Sequence, residues 1–220
     1  LNKKILGVDE AGRGPVLGPM VICGALIQEG DEERLIELGV KDSKKLTPER
    51  REELFEELKE ILIDFRLVEI WPRQIDHAVK HRGLNSLEAE VSARLIKELE
   101  PDVAILDAPG RYPEGYLREV KRFLGESKVK VIAENKADEK YPIVSAASIL
   151  AKVRRDRIIE ELKKYYGDFG SGYAGDPRTV EFLRMWVRKH RELPPIARAS
   201  WETAAKILTE ERAGLGQYFL

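Results

Sequence analysis

Ile5-Leu6-Gly7-Val8-Asp9-Glu10-Ala11-Gly12-Arg13-Gly14-Pro15 decides the reading of this chain. A short apolar run, Ile5 to Val8, feeds two adjacent carboxylates and then a glycine-flanked arginine. An apolar run that opens into a loop is how a central strand ends, so Asp9 and Glu10 are expected at the edge of a sheet. Two carboxylates held together repel unless a cation sits between them. Arg13 is one candidate partner. Gly12 and Gly14 also let the backbone approach a ligand closely. Acids that want a cation, beside a backbone able to touch a polar polymer, point to metal-dependent phosphodiester chemistry.

Working outward, residues 3–9 and 16–27 read as two strands, with a bulge or kink expected at Val16-Leu17-Gly18-Pro19. Residues 62–71 read as a third strand, 102–107 as a short buried fourth and 128–133 as a fifth. Thr47-Pro48 opens a charged helix, with Thr47 as its cap. Asn85 is placed to cap a long helix that carries Leu87, Val91, Leu95 and Leu99 on one face, with Glu88 completing a capping box. A helix over 113–124, a long helix from Pro142 and two more before the end complete the order. Early antiparallel hairpins followed by strand–helix alternation predict an α/β fold: a mixed five-stranded sheet with helices on both faces. Residues 1–166 are expected to form the core, 167–208 a C-terminal helical extension and 209–220 a tail.

Asp107 repeats the logic of Asp9, ending a buried strand before Ala108-Pro109-Gly110. If both strands are central and parallel, their carboxyl ends open into one crevice. Asp138 sits just before the long helix, as a further ligand or as a partner of the helix dipole. Asp9, Glu10, Asp107 and Asp138 would form an all-oxygen site, which selects Mg²⁺ or Mn²⁺ over Zn²⁺. Ser43, Lys44 and Lys45 form either a phosphate clamp or a solvated loop. Ser145, Ser148 and Lys152 share a face of the long helix, either binding an anion or easing helix packing. Tyr173, between glycines, either stacks on a sugar or base or packs on the protein.

Composition narrows the field. Lys+Arg is 38 and Asp+Glu 39, so any contact with an anionic polymer must use a local patch. Residues 136–198 supply one, with 14 Lys/Arg against 9 Asp/Glu. Charged residues reach 35%, above the roughly 25% of ordinary soluble domains, which fits surface ion-pair networks. The one cysteine, Cys23, lies in an apolar run and reads as a buried structural thiol. His77 and His81 are four apart but lack a third ligand, and His190 has no nucleophile motif beside it. No stretch is apolar enough to span a bilayer and no signal peptide is evident, so a cytoplasmic monomer without a membrane contact is expected.

Taken together, these motifs resemble the archaeal branch of type 2 ribonuclease H (ribonuclease HII) over about residues 4–203. The resemblance rests on residues 7–15, on Asp42-Ser43-Lys44-Lys45-Leu46 and on Leu106-Asp107. It continues through Ala137-Asp138, Tyr141-Pro142-Ile143-Val144-Ser145-Ala146-Ala147-Ser148-Ile149, residues 151–156 and Gly172-Tyr173. It implies a ribonuclease H-like fold and cleavage of RNA within RNA/DNA hybrids, with incision at single ribonucleotides in duplex DNA. It also implies that Asp9, Glu10, Asp107 and Asp138 are catalytic metal ligands for Mg²⁺ or Mn²⁺. Gly12, Arg13 and Gly14 would read the ribose 2′-hydroxyl, and Tyr173 would pack on the adjacent deoxyribose. The products would carry 5′-phosphate and 3′-hydroxyl ends.

At the end of the chain, Leu215, Tyr218 and Phe219 are spaced as in the peptide that binds the sliding clamp (PCNA), although Arg212 stands where that peptide has glutamine. The alternative is a tail docked on its own domain. A hybrid-binding module that no longer cuts would lack one of the four acids, and all four are present. A junction resolvase or transposase-like nuclease would lack the Gly-Arg-Gly segment.

Overall fold

The computed structural model describes residues 3–41 and 46–216, with side chains up to residue 213. It divides into two compact units. The first comprises residues 1–11, 21–69 and 84–155, and the second residues 12–20, 70–83 and 156–220.

The first unit is built on β1 (Lys4–Ala11), β2 (Met20–Gln28), β3 (Asp64–Ile70), β4 (Val103–Asp107) and β5 (Lys130–Glu134). Their order in the sheet is β3-β2-β1-β4-β5. β1 runs antiparallel to β2 and parallel to β4, and β4 is parallel to β5, so the expected mixed five-stranded sheet is present. β2 starts at Met20 rather than at 16, because Val16 to Pro19 leave the ladder and belong to the second unit. β5 starts at Lys130 rather than 128, where a local bond from the Val129 amide to the Ser127 hydroxyl (3.2 Å) holds the chain in a turn.

Helices cover both faces of this sheet, and two glycines show how. A Cβ on Gly7 would lie 2.5 Å from the backbone of Ile143, in α7 (Pro142–Tyr166). A Cβ on Gly24 would instead meet Leu95 and Leu99 of α4 (Leu84–Leu99). Gly24 pairs with Val8, the neighbour of Gly7, so the two glycines open opposite faces. Asp9 shares the Gly7 face, which is covered by α7. Leu87, Val91, Leu95 and Leu99 are buried as expected. Asn85 is not the cap of α4: the helix starts at Leu84, directly after the left-handed Gly83. Thr47 does cap α2 (Pro48–Ile61), accepting from the Arg50 amide at 3.2 Å. α1 (Glu32–Glu37), α5 (Pro113–Leu124) and α6 (Ala137–Lys140) complete the first unit.

The second unit holds α3 (Pro72–His81), the last part of α7, α8 (Pro177–His190) and α9 (Glu202–Gly216). Its core gathers Val16, Leu17, Ile159, Phe169, Leu183, Val187, Ile196 and Ile207. The Leu17 backbone bridges Ala197, which takes the 16–19 segment out of the main sheet. α9 runs to Gly216, past residue 208. Glu211 pairs with Arg184 and Arg188, and Arg212 donates to the Arg191 carbonyl at 2.8 and 3.0 Å, which fixes this final turn. Among the described residues, no helix is long and apolar enough to cross a membrane.

Candidate active site

The first unit carries a carboxylate cluster, and the sheet register explains it. Val8 of β1 pairs with Leu106 of β4 in parallel, so one residue later Asp9 and Asp107 emerge side by side. Oxygens of Asp9, Glu10 and Asp107 lie within 4.8 Å of one another. Asp9 is only 5% exposed. Burial, followed by the charges of Glu10 and Asp107, pushes its carboxyl well above the ordinary range. It accepts from the Glu10 amide at 2.7 Å and from the Ser148 hydroxyl, and these bonds only partly oppose the shift. Like charges packed in a low dielectric favour protonation unless a cation neutralises them.

Asp107 accepts the Ala137 amide at 2.7 Å, which ties the start of α6 to the end of β4. The next residue, Asp138, is buried in the first turn of α6 and is not one of the three clustered acids. Cys23 lies opposite Asp9 on β2. Burial and the Asp9 charge push its thiol up, so it stays protonated and inert, in line with its reading as a structural thiol. The donor set is three hard carboxylates with no imidazole or thiolate, which fits Mg²⁺ or Mn²⁺.

On α7, Ser148 faces Asp9 and Lys152 sits one turn further along, half-buried. Ser145 has no exposed surface, and its hydroxyl donates to the Val40 carbonyl. Its role therefore lies inside the fold and not in direct contact with a ligand. Ser43, Lys44 and Lys45 lie outside the described residues, as do Tyr218, Phe219 and the side chain of Leu215.

The second unit holds Gly12, Arg13 and Gly14, and its organiser is a residue to which the sequence alone assigns no role. Arg198 is fully buried. It donates to the carbonyls of Gly12 (2.6 Å), Arg13 (2.7 Å) and Gly18 (3.1 Å). The Trp201 indole nitrogen donates to the Gly14 carbonyl at 2.9 Å, and the Arg198 guanidinium lies 4.9 Å from the centre of its ring. Two side chains thus fix four carbonyls in and after the glycine-flanked segment, where Gly12 takes φ +78°. Asp76 of α3 completes the frame, accepting the amides of Ala199 and Ser200 at 2.9 Å each. Nothing in Pro194-Pro195-Ile196-Ala197-Arg198 marks Arg198 as buried, because the segment has no periodicity.

Tyr173 meets the same segment. Its ring carbon lies 3.5 Å from where a Cβ on Gly14 would stand, and the residue is 46% exposed. The Gly172 carbonyl accepts from the amides of Val16 (2.8 Å) and Leu17 (3.1 Å). Thr179 accepts from the Gly172 amide and donates to the Phe169 carbonyl. Asp176 caps α8, accepting the amides of Arg178 and Ser171, and these bonds with the Arg178 ion pair hold its carboxyl far below the usual range. The rings of His77 and His81 on α3 lie 4.5 Å apart, tilted at 45°, and the described residues hold no metal-ligand group of three or more that includes them. His190 stacks on Trp186 at 4.3 Å, a packing role.

Comparison with known proteins identifies the relatives of this chain. The ribonuclease HII family model matches residues 6–204. Ribonuclease HII of Thermococcus onnurineus is 51% identical over 206 residues, covering 93% of this chain and 89% of the relative. The crystal structure of ribonuclease H2 from Pyrococcus horikoshii OT3 is similar at TM-score 0.89 and 48% identity, covering 95% of this chain and 99% of that one. The PCNA:RNase HII complex from Archaeoglobus fulgidus is similar at TM-score 0.83 and 45% identity, covering 92% of this chain and 96% of that one. Matches of this depth over nearly the whole length leave one conclusion: the chain belongs to the ribonuclease HII family and is a ribonuclease H, a phosphodiester hydrolase.

Proposed function

We propose that this ribonuclease H hydrolyses the RNA strand of RNA/DNA hybrids and also incises 5′ to single ribonucleotides embedded in duplex DNA. The products carry 5′-phosphate and 3′-hydroxyl ends. The observation that carries the reading is the mutually repelling trio of buried Asp9 and half-buried Glu10 and Asp107. Asp138, one residue beyond the amide that Asp107 accepts, is the fourth acid of the set. A pair of divalent cations, Mg²⁺ or Mn²⁺, would supply an activated water and charge stabilisation of the leaving 3′-oxygen. The chain's own residues do the rest. Ser148 orients the Asp9 carboxylate, and the Ala137 amide orients Asp107. Gly12, Arg13 and Gly14, held by Arg198 and Trp201, present a shaped backbone to the ribose 2′-hydroxyl. Tyr173 packs on the neighbouring deoxyribose. Ser43, Lys44, Lys45 and Lys152 contact phosphates. Leu215, Tyr218 and Phe219 bind a sliding clamp, a reading supported by the PCNA complex of the Archaeoglobus fulgidus relative; deleting residues 212–220 should abolish clamp affinity.

The test is incision of a DNA duplex carrying one ribonucleotide, with Mg²⁺, beside an all-DNA control and the Asp107→Asn variant. A cut 5′ to the ribonucleotide that is absent from both controls supports the reading. Equal cutting of the all-DNA duplex, or an unimpaired Asp107→Asn enzyme, overturns it.

A further inference from the structure

The loop that leaves β4 directly after Asp107 carries an exposed arginine and tyrosine that no role described so far uses. β1, β4 and β5 are parallel, so their carboxyl ends share one edge of the sheet. The loop Ala108 to Tyr112 rises from that edge, beside the carboxylate cluster. It is not slack. The Ala108 amide donates to the Glu134 carbonyl at 2.8 Å. The Asn135 side-chain amide donates to the carbonyls of Ala108 (2.9 Å) and Gly110 (2.6 Å). Gly110 takes φ +82°, which turns the chain outward, and Pro113 opens α5 immediately beyond Tyr112.

On this pinned loop, Tyr112 is 75% exposed and Arg111 is also exposed. Neither side chain forms a hydrogen bond, ion pair or ring contact among the described residues. A large aromatic left in water on a fixed loop forfeits the burial that normally holds it, unless a ligand covers it. Lys136, also exposed, stands next to the pinning Asn135 and pairs with Glu139 at 3.9 Å.

We propose that Arg111 and Tyr112 form a clamp for the duplex flanking the scissile phosphate. Arg111 contacts a backbone phosphate and Tyr112 packs on a sugar ring. The clamp rests on the proposed function, because it serves the same substrate. It binds and positions; it takes no part in bond cleavage. Its reach is set by the Asn135 amide, which acts as a positioning residue for the loop.

The test measures binding and cleavage of a long RNA/DNA hybrid by wild type, Arg111→Ala, Tyr112→Ala, Tyr112→Phe and Asn135→Ala. Tyr112→Ala should raise KM about tenfold with kcat unchanged, and Tyr112→Phe should restore wild-type KM. Arg111→Ala should reduce the slope of log binding constant against log salt by about one. Asn135→Ala should reproduce the Tyr112→Ala defect in part. Trimming the duplex flank until the clamp no longer reaches it should erase the difference between wild type and Tyr112→Ala. If KM, salt slope and flank dependence are all unchanged while wild type cleaves the hybrid, the clamp is refuted and the ribonuclease reading stands. If wild type neither binds nor cuts the hybrid, both fall together.

Discussion

The end of β1 and the residues around Arg198 both bury charge, and they treat it in opposite ways. Arg198 gives its guanidinium hydrogens to three carbonyls and lies over the Trp201 ring, so its charge is matched by protein dipoles. Asp9 has a backbone amide and a serine hydroxyl, but it also faces Glu10 and Asp107, and its carboxyl is driven upward. A buried ion that is fully hydrogen-bonded shapes backbone; a buried carboxylate held beside two like charges favours a cation. The contrast separates a structural charge from a functional one without reference to any relative.

Breaking each side should have different consequences. Asp107→Asn should lower kcat/KM for a single-ribonucleotide duplex by about 10²–10³-fold or more, the scale of removing a preorganised charge-stabilising group. Its melting temperature should not fall, because asparagine keeps an oxygen for the Ala137 amide. Arg198→Met reverses the pattern. Stability should drop by about 4 kcal/mol as buried carbonyls lose their donors, and KM for the ribonucleotide duplex should rise. Cation affinity at the carboxylates, followed by calorimetry with Mn²⁺, should be unchanged.

Gly7→Ala tests the covering of the acid face by α7. Its Cβ would collide with the Ile143 backbone, at a cost of about 2–3 kcal/mol in chemical denaturation. The smallest expected effect sharpens the structural side: Trp201→Phe removes one bond to the Gly14 carbonyl and should cost about 1 kcal/mol while leaving kcat intact.

Much of this was legible in the sequence because local signals and global fold agree. The apolar run before Asp9, the cap at Thr47 and the Leu87–Leu99 stripe all predict what they form. The convergence of Asp9, Glu10 and Asp107 follows from two strands ending in acids. What escaped is tertiary. That residues 12–20 and 70–83 join residues 156–220 is a packing outcome with no periodicity to announce it. Arg198 looks like any surface arginine until the carbonyls of Gly12, Arg13 and Gly18 are placed around it. Ser145 and Ser148 share a helix face in sequence, yet one bonds the Val40 carbonyl and the other Asp9. The side chains of Asn85 and Glu88 resemble a capping box, but the helix takes its start from the turn at Gly83.

The most direct test of the carboxylate side is the difference in melting temperature between Asp9→Asn and wild type, both metal-free, from pH 4 to pH 8. Asp9 has a folded-state pKa above its unfolded value. Its contribution to stability is therefore full below the ordinary carboxylate range and is lost as pH rises through the raised value. Asp9→Asn should gain on wild type as pH rises, and Mg²⁺ or Mn²⁺ should stabilise wild type but not the variant. A difference that does not change with pH, together with equal cation effects on both proteins, would contradict both expectations.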